Sequence, residues 1–437
     1  MATTPSISAP VTKKPTVSPI VIIGALFFIF GFITWLNSVL IPYLKIACQL
    51  NNFQSYFVAT AFYVACLVMA KPSAWVLKLF GFKNGMSAGL VIMAIGAIIF
   101  IPAAITRIYS IFLVGLFIQG SGMAILQTAA NPYITIVGPA ESAAKRISIM
   151  GICNKMAGVL APIALGAVVL KNIDAFTTNL AKLNPAQKTA ELNELASRVI
   201  LPYILIVIVL LILAVLIYFS GLPEIDTDHE DETVAAANVG KTSIFQFPHL
   251  IIGVIALFFY VGAEVIAGDS IISYGSSQHI PLSTAKFFTS LTLSSMVAGY
   301  IIGIICIPRY ITQQKALVVS AILGIVFTIA ALLTHQYASV FCIALLGLAN
   351  SLMWPAIWPL ALAGLGRYTK IGSSMLIMGI AGAAVFPPLY GFSVDHFKAS
   401  MGQADAAHMS YLILLPLYLF IFYFAAYGYK KRKSVSA

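Results

Sequence analysis

In a chain this apolar, the side chains able to do chemistry are few enough to name. Only two of the fourteen Asp and Glu fall well inside an apolar stretch, Glu264 and Asp269, both in FFYVGAEVIAGDSIISYG at 258–275. Of the twenty-five Lys and Arg, only Lys71 and Lys155 do. A charge in hydrocarbon costs at least ~2.5 to 3.5 kcal/mol on insertion scales, so each of the four needs a reason to be there. Lys71 precedes Pro72 near the end of its stretch, where an aliphatic stem lets the ammonium reach the headgroups. Lys155 lies nine residues after Arg146, ~14 Å along a helix and close to the bilayer middle. It reads as a functional or gating lysine, neutralised by Glu264 or Asp269 from the other half of the chain. Those two acids are about 140° apart around a helix, so they need separate roles.

Neutral polar side chains cluster at the same depth. GFITWLNSVLIPYLK, 31–45, sets Trp35, Asn37 and Ser38 in an apolar run and ends near Pro42, the pattern of a broken helix lining a path. Gln127 and Asn131 are i, i+4 in LQTAANPY, and Asn350, Trp354 and Trp358 are i, i+4, i+8 in NSLMWPAIWP, while Asn154 adjoins Lys155. Amides make paired hydrogen bonds to hydroxyls, and a flat ring packs on the apolar face of a sugar, so the set fits a neutral polyhydroxylated ligand. The competing account is that amides tie helix pairs together and Trp marks the membrane interface. Trp75, near a stretch end, fits that account, whereas Trp354 and Trp358 flank Pro355 in mid-stretch.

The elements that must hold these residues are membrane spans. The 437 residues are 60% hydrophobic and 9% charged, a surface that would aggregate in water. Stretches of roughly 20 apolar residues, enough to cross a bilayer, start near 20, 54, 85, 108, 146, 199, 248, 284, 316, 338, 371 and 409, which predicts twelve transmembrane helices. Residues 1–18 are polar and the first apolar run is too long for a signal peptide, so the first span is expected to stay in the protein. The net charge of +11 is not a nucleic-acid signature. With both termini on one side, that side holds fifteen Lys and Arg and the opposite loops eight, the positive-inside pattern of a plasma or inner membrane protein with cytoplasmic termini. Cys48, Cys66, Cys153, Cys306 and Cys342 have no metal or disulfide spacing, the six His lie in loops or at span ends, and no phosphate-binding glycine motif is present. No enzyme, metal site or cofactor is expected.

The predicted organisation is a tail at 1–18, a six-helix bundle at 19–220, a cytoplasmic linker at 221–247, a second bundle at 248–428 and a basic tail at 429–437. The halves echo each other at an offset of about 228 residues, RISIMG (146–151) facing SSMLIMG (373–379). Short basic loops recur after spans two (KLFGFKNG) and eight (PRYITQQK). Two related bundles around a central path are the architecture of a rocking transporter.

These loops, the linker and the segments LVGLFIQGSGMAILQTAANPYITIVGP, FFYVGAEV and MGIAGAAVFPPLYGFSVD resemble the major facilitator superfamily, in its branch of fucose, glucose/galactose and N-acetylglucosamine permeases. RISIMGICNKMAG and EVIAGDSIISYG are most similar to the glucose and N-acetylglucosamine subgroup. The resemblance implies a monomeric importer of a neutral hexose, driven by a cation gradient, usually protons, with sodium as an alternative. It also implies departures: the fucose permease pattern has an Asp where Ser38 stands, an acid where Gln127 stands and a Gln where Gly151 stands. With both expected proton carriers absent and Lys155 added, two mechanisms remain. In a symporter, Asp269 or Glu264 carries the proton. In a uniporter, the Lys155 ammonium replaces the coupling cation. A sugar-sensing receptor would need a signalling domain, and a glycolipid enzyme an acid/base pair near the headgroups, and neither is visible.

Overall fold

The computed structural model describes residues 19–136, 143–222, 243–307, 309–365 and 368–430. The predicted tail at 1–18, nearly all of the acidic linker, the last residues of the basic tail and the side chain of Asn131 lie outside them.

The first half comprises α1 (Pro19–Trp35), α2 (Asn37–Ala47), α3 (Asn52–Ser55), α4 (Phe57–Val68), α5 (Ala70–Thr106), α6 (Tyr109–Ile136), α7 (Ala143–Val169), α8 (Ile173–Leu180), α9 (Pro185–Ser197) and α10 (Ile200–Tyr218). The second comprises α11 (Pro248–Asp269), α12 (Ile271–Ser277), α13 (Leu282–Ala285), α14 (Phe288–Cys306), α15 (Gln313–Leu333), α16 (Gln336–Asn350), α17 (Met353–Leu362), α18 (Thr369–Met378), α19 (Gly382–Met409) and α20 (Leu414–Ala426). Among the described residues there are no strands. Only helices satisfy their own backbone groups in lipid, which is why so apolar a chain takes this form.

Ten helical stretches are long and apolar enough to cross a membrane. Two of these, Ala70–Thr106 and Ile371–Lys430, contain a glycine with non-helical positive φ, Gly81 (75°) and Gly402 (84°). Each glycine ends one helix and starts the next in a conformation that a Cβ would disfavour. With α4 running on into the start of α5, the arrangement is consistent with twelve crossings. An even number of crossings returns the chain to the end where it began, the terminal end; the opposite end is the distal end. The exposed apolar side chains Leu201, Leu205, Ile212 and Leu216 along α10 form a lipid-facing surface.

Three spans carry a local irregularity where polar residues lie. The first has it at Leu36, between α1 and α2, whose φ and ψ of −61° and −29° stay helical, and Pro42 sits inside α2 without ending it. The interruption expected at Pro42 is thus not found there. Ser38 turns its hydroxyl back onto the Trp35 carbonyl at 2.8 Å. Span seven has its irregularity at Ser270, after Asp269, and span ten at Ser351–Leu352, between Asn350 and Trp354. The 172–198 loop folds into α8 and α9, and the Tyr43 hydroxyl reaches the Leu195 and Ala196 carbonyls at 2.8 and 2.9 Å, fastening α9 to α2.

Candidate functional site

The site is built where α7 of the first half meets α11 of the second. The Lys155 ammonium contacts Glu264 Oε1 at 2.5 Å, and their side chains are 12% and 10% exposed. Sequence left Glu264 and Asp269 both open as partners, and the structure pairs Lys155 with Glu264. The contact joins the two bundles, as the charge census required. The same ammonium lies 5.0 Å from the centre of the Trp35 ring, a cation–π contact.

Trp35 is held from both bundles. A Cβ on Gly158 of α7 would stand 2.5 Å from its Cδ1, and one on Gly268 of α11 would overlap the far edge of the ring. Two glycines therefore make the slot for this indole, one from each half. Trp35 is 2% exposed and its Nε1 has no hydrogen-bond partner among the described residues. It stands behind the ion pair.

Next to Gly268 is Asp269, fully buried, with neither carboxylate oxygen bonded to a described residue. Its neighbours are committed elsewhere. Thr289 Oγ1 donates to the Gly268 carbonyl at 2.6 Å, and the Ser270 hydroxyl shares a 2.6 Å bond with Tyr411. Tyr56 and Tyr63 lie in electrostatic range of Asp269. The two deep acids thus occupy different settings, one paired and one alone, as their angular separation on the helix predicted.

The neutral cluster is divided. Asn37 is buried with its Nδ2 unbonded among the described residues, and Ser38 is buried and engaged with Trp35. Asn154 uses its Nδ2 on the Phe27 carbonyl at 3.2 Å, and a Cβ on Gly31 would overlap the Asn154 carbonyl, so this residue packs α1 on α7. Asn350 accepts from the Tyr418 hydroxyl at 3.0 Å while its Nδ2 has no described partner. Trp354 and Trp358 stack on each other, centroids 5.4 Å apart and planes at 23°, and Trp354 tilts against Tyr260 at 6.4 Å. Gln127 is half-buried on α6.

Four tyrosines were missed by sequence reasoning. Tyr63, Tyr260, Tyr300 and Tyr418 all lie in electrostatic range of Glu264. Tyr260, one turn before Glu264, was the findable one. The others come from α4, α14 and α20, and tyrosine is common enough here that its type carries no signal. Tyrosine rings and hydroxyls of this kind can hydrogen-bond a polar solute and pack its apolar faces.

Two helical bundles joined by a charge pair are the architecture of a multi-pass membrane protein. The comparisons place it further: residues 23–412 match the Major Facilitator Superfamily, and the chain belongs to that family. It is 33% identical over 408 residues to a glucose/galactose transporter of Brucella abortus, covering 93% of this chain and 92% of that one. To the L-fucose-proton symporter of Escherichia coli it is 30% identical over 388 residues, 88% of each chain. The crystal structure of the transporter FucP in the outward conformation superposes with a TM-score of 0.69 at 27% identity, over 94% of this chain and 99% of that one.

Proposed function

We propose that the protein imports a neutral hexose, of the glucose/galactose or N-acetylglucosamine type, by alternating access coupled to protons. The observation that carries the reading is the inter-bundle Lys155–Glu264 pair beside the isolated carboxyl of Asp269. A buried ionised carboxylate without a partner is very costly, whereas the neutral acid is tolerated. Asp269 accordingly takes the coupling proton, and Glu264 is already matched by Lys155. Releasing the proton from Asp269 requires the site to open to water, which ties deprotonation to the conformational cycle.

The sugar lies against the Trp354–Trp358 wall, with Gln127, Asn37 and Asn350 offering amides to its hydroxyls. The names of the relatives support a sugar substrate and, for the fucose symporter, proton coupling. In this reading the distal end, with fewer Lys and Arg, is the outer face.

A uniporter is the second reading, favoured by the ammonium already seated on Glu264. Proteoliposomes separate the two. Labelled glucose, galactose, mannose and N-acetylglucosamine are offered under an imposed pH or sodium gradient. Accumulation above equilibrium driven by inward protons is expected for at least one hexose. Equilibration unaffected by either gradient would leave the uniporter, and sodium-driven accumulation would replace the proton. Trp354→Ala and Gln127→Ala are each expected to weaken sugar binding at least tenfold, and unchanged binding in both would move the sugar elsewhere.

A further inference from the structure

The distal end of the molecule is closed by two carboxylates that cross between the bundles in opposite directions. Asp174, on α8 of the first half, accepts from the backbone N–H of Leu282 at 2.8 Å and of Ser283 at 3.1 Å, where span eight begins in the second half. Asp395, on α19 of the second half, accepts from the backbone N–H of Phe53 at 2.8 Å and from Asn52 Nδ2 at 2.7 Å, where span two begins in the first half. Each acid thus holds N–H groups that a helix start leaves without intrahelical partners.

Leu282 lies 229 residues after Phe53, at the offset of about 228 between the halves, while Asp395 lies 221 after Asp174, about two helical turns short of it. The receiving helix starts are thus repeat-equivalent, and the acids reach them from nearby but different positions of the corresponding spans. Neither clasp is a loose surface ion pair. The Asp395 side chain is 17% exposed and also receives Lys398 Nζ at 3.0 Å, while Lys45 Nζ reaches Asn52 Oδ1 at 2.5 Å and fixes the amide that Asp395 holds. A Cβ on Gly391, one turn before Asp395, would crowd Tyr56 and the Asn52 backbone, so the helices meet closely there. Hydrogen bonds from N–H to an ionised carboxylate are among the stronger ones, and two per acid fix orientation as well as distance.

We propose that Asp174 and Asp395 are gating residues for transport, a pair of latches that hold the outer side shut and must both release before the site opens to that side. The meaning of the pair rests on the transporter reading above, but its test does not require the sugar. Rocking two bundles about a central site separates them at one end while joining them at the other. Contacts at the far end therefore set the population of the closed state without touching substrate. Because the clasps act on one equilibrium, removing either one weakens closure and removing both weakens it further.

The test is a distance measurement in detergent or nanodiscs, without sugar or gradient. With the five native cysteines replaced, spin labels are placed at Glu194, on α9 and tied to the first bundle through Tyr43, and at Tyr337, exposed on α16 of the second. The parent is expected to give mainly the short distance. Asp174→Asn and Asp395→Asn should each at least double the long-distance population, and the double variant should exceed either. Asn keeps the volume, so the variants are expected to insert and fold. If all three distributions match the parent, the proposal is wrong, including the case where melting temperature falls, which would mark the contacts as structural only. Hexose uptake by the parent is measured separately. Latches that respond in a protein that moves no hexose would overturn the substrate reading alone, and uptake with unresponsive latches would overturn this one alone.

Discussion

At the scale of single residues, the division of labour between Glu264 and Asp269 makes two predictions of opposite kind. Removing one member of a buried ion pair strands the other, at about 3–5 kcal/mol, whereas replacing both avoids the stranded charge. Lys155→Met and Glu264→Gln should each lower the melting temperature markedly, while the double variant recovers most of the loss. Thermal unfolding in detergent reads this directly, and additive losses would show that the pair is not energetically coupled. Asp269→Asn behaves differently because the replacement imitates the neutral acid the enclosure already fits. It should leave the melting temperature within a few degrees of the parent, retain exchange of labelled against unlabelled hexose, and lose proton-driven accumulation. Accumulation that survives in Asp269→Asn would remove Asp269 as the proton carrier. Composition and depth alone singled out these residues in the sequence. Which acid takes the lysine was not legible, because it depends on the rotation of α11 relative to α7, and no local pattern encodes that.

At the scale of elements, the all-helical membrane-spanning character was legible, and the structure is consistent with the twelve apolar stretches, since hydropathy is a local property. The place of irregularity was less so. Pro42 is accommodated inside α2, and the irregular turn falls at Leu36, next to Trp35 in a slot made by Gly158 and Gly268. Tertiary fit outweighed the local preference of a proline. On the i, i+4, i+8 face drawn through Asn350, Trp354 and Trp358, the two indoles stack on each other while Asn350 is bonded to Tyr418. The slot makes its own prediction. A methyl group at position 268 overlaps the Trp35 ring, and overpacking of this kind costs about 1–3 kcal/mol. Gly268→Ala should lower both melting temperature and transport, and Trp35→Leu in the same chain should restore the melting temperature by vacating the slot. If Gly268→Ala is silent, the indole is not confined as described.

At the scale of the whole molecule, the proton must act at some point on the equilibrium between the two open states, and the latches and the deep acid offer different pH windows. Burial alone would raise the Asp174 carboxyl, but its hydrogen bonds from Ser283 and Leu282, with the Lys286 ammonium nearby, outweigh that and hold it below the usual carboxylate value. A carboxyl lowered in the closed state favours closure when ionised. That contribution is complete above the value in the open state, about 4 for an ordinary aspartate, and disappears as pH falls through the lower value of the closed state. The difference in long-distance population between the parent and Asp174→Asn should therefore stay constant from pH 8 to pH 5 and vanish only below about 4. Measuring both proteins at each pH cancels titrations elsewhere. A difference that fades near pH 6 would mean that Asp174 titrates in the range of a physiological gradient. A constant difference leaves the gradient to act at Asp269, in the sealed middle of the protein, with the distal clasps setting how far the equilibrium must be moved.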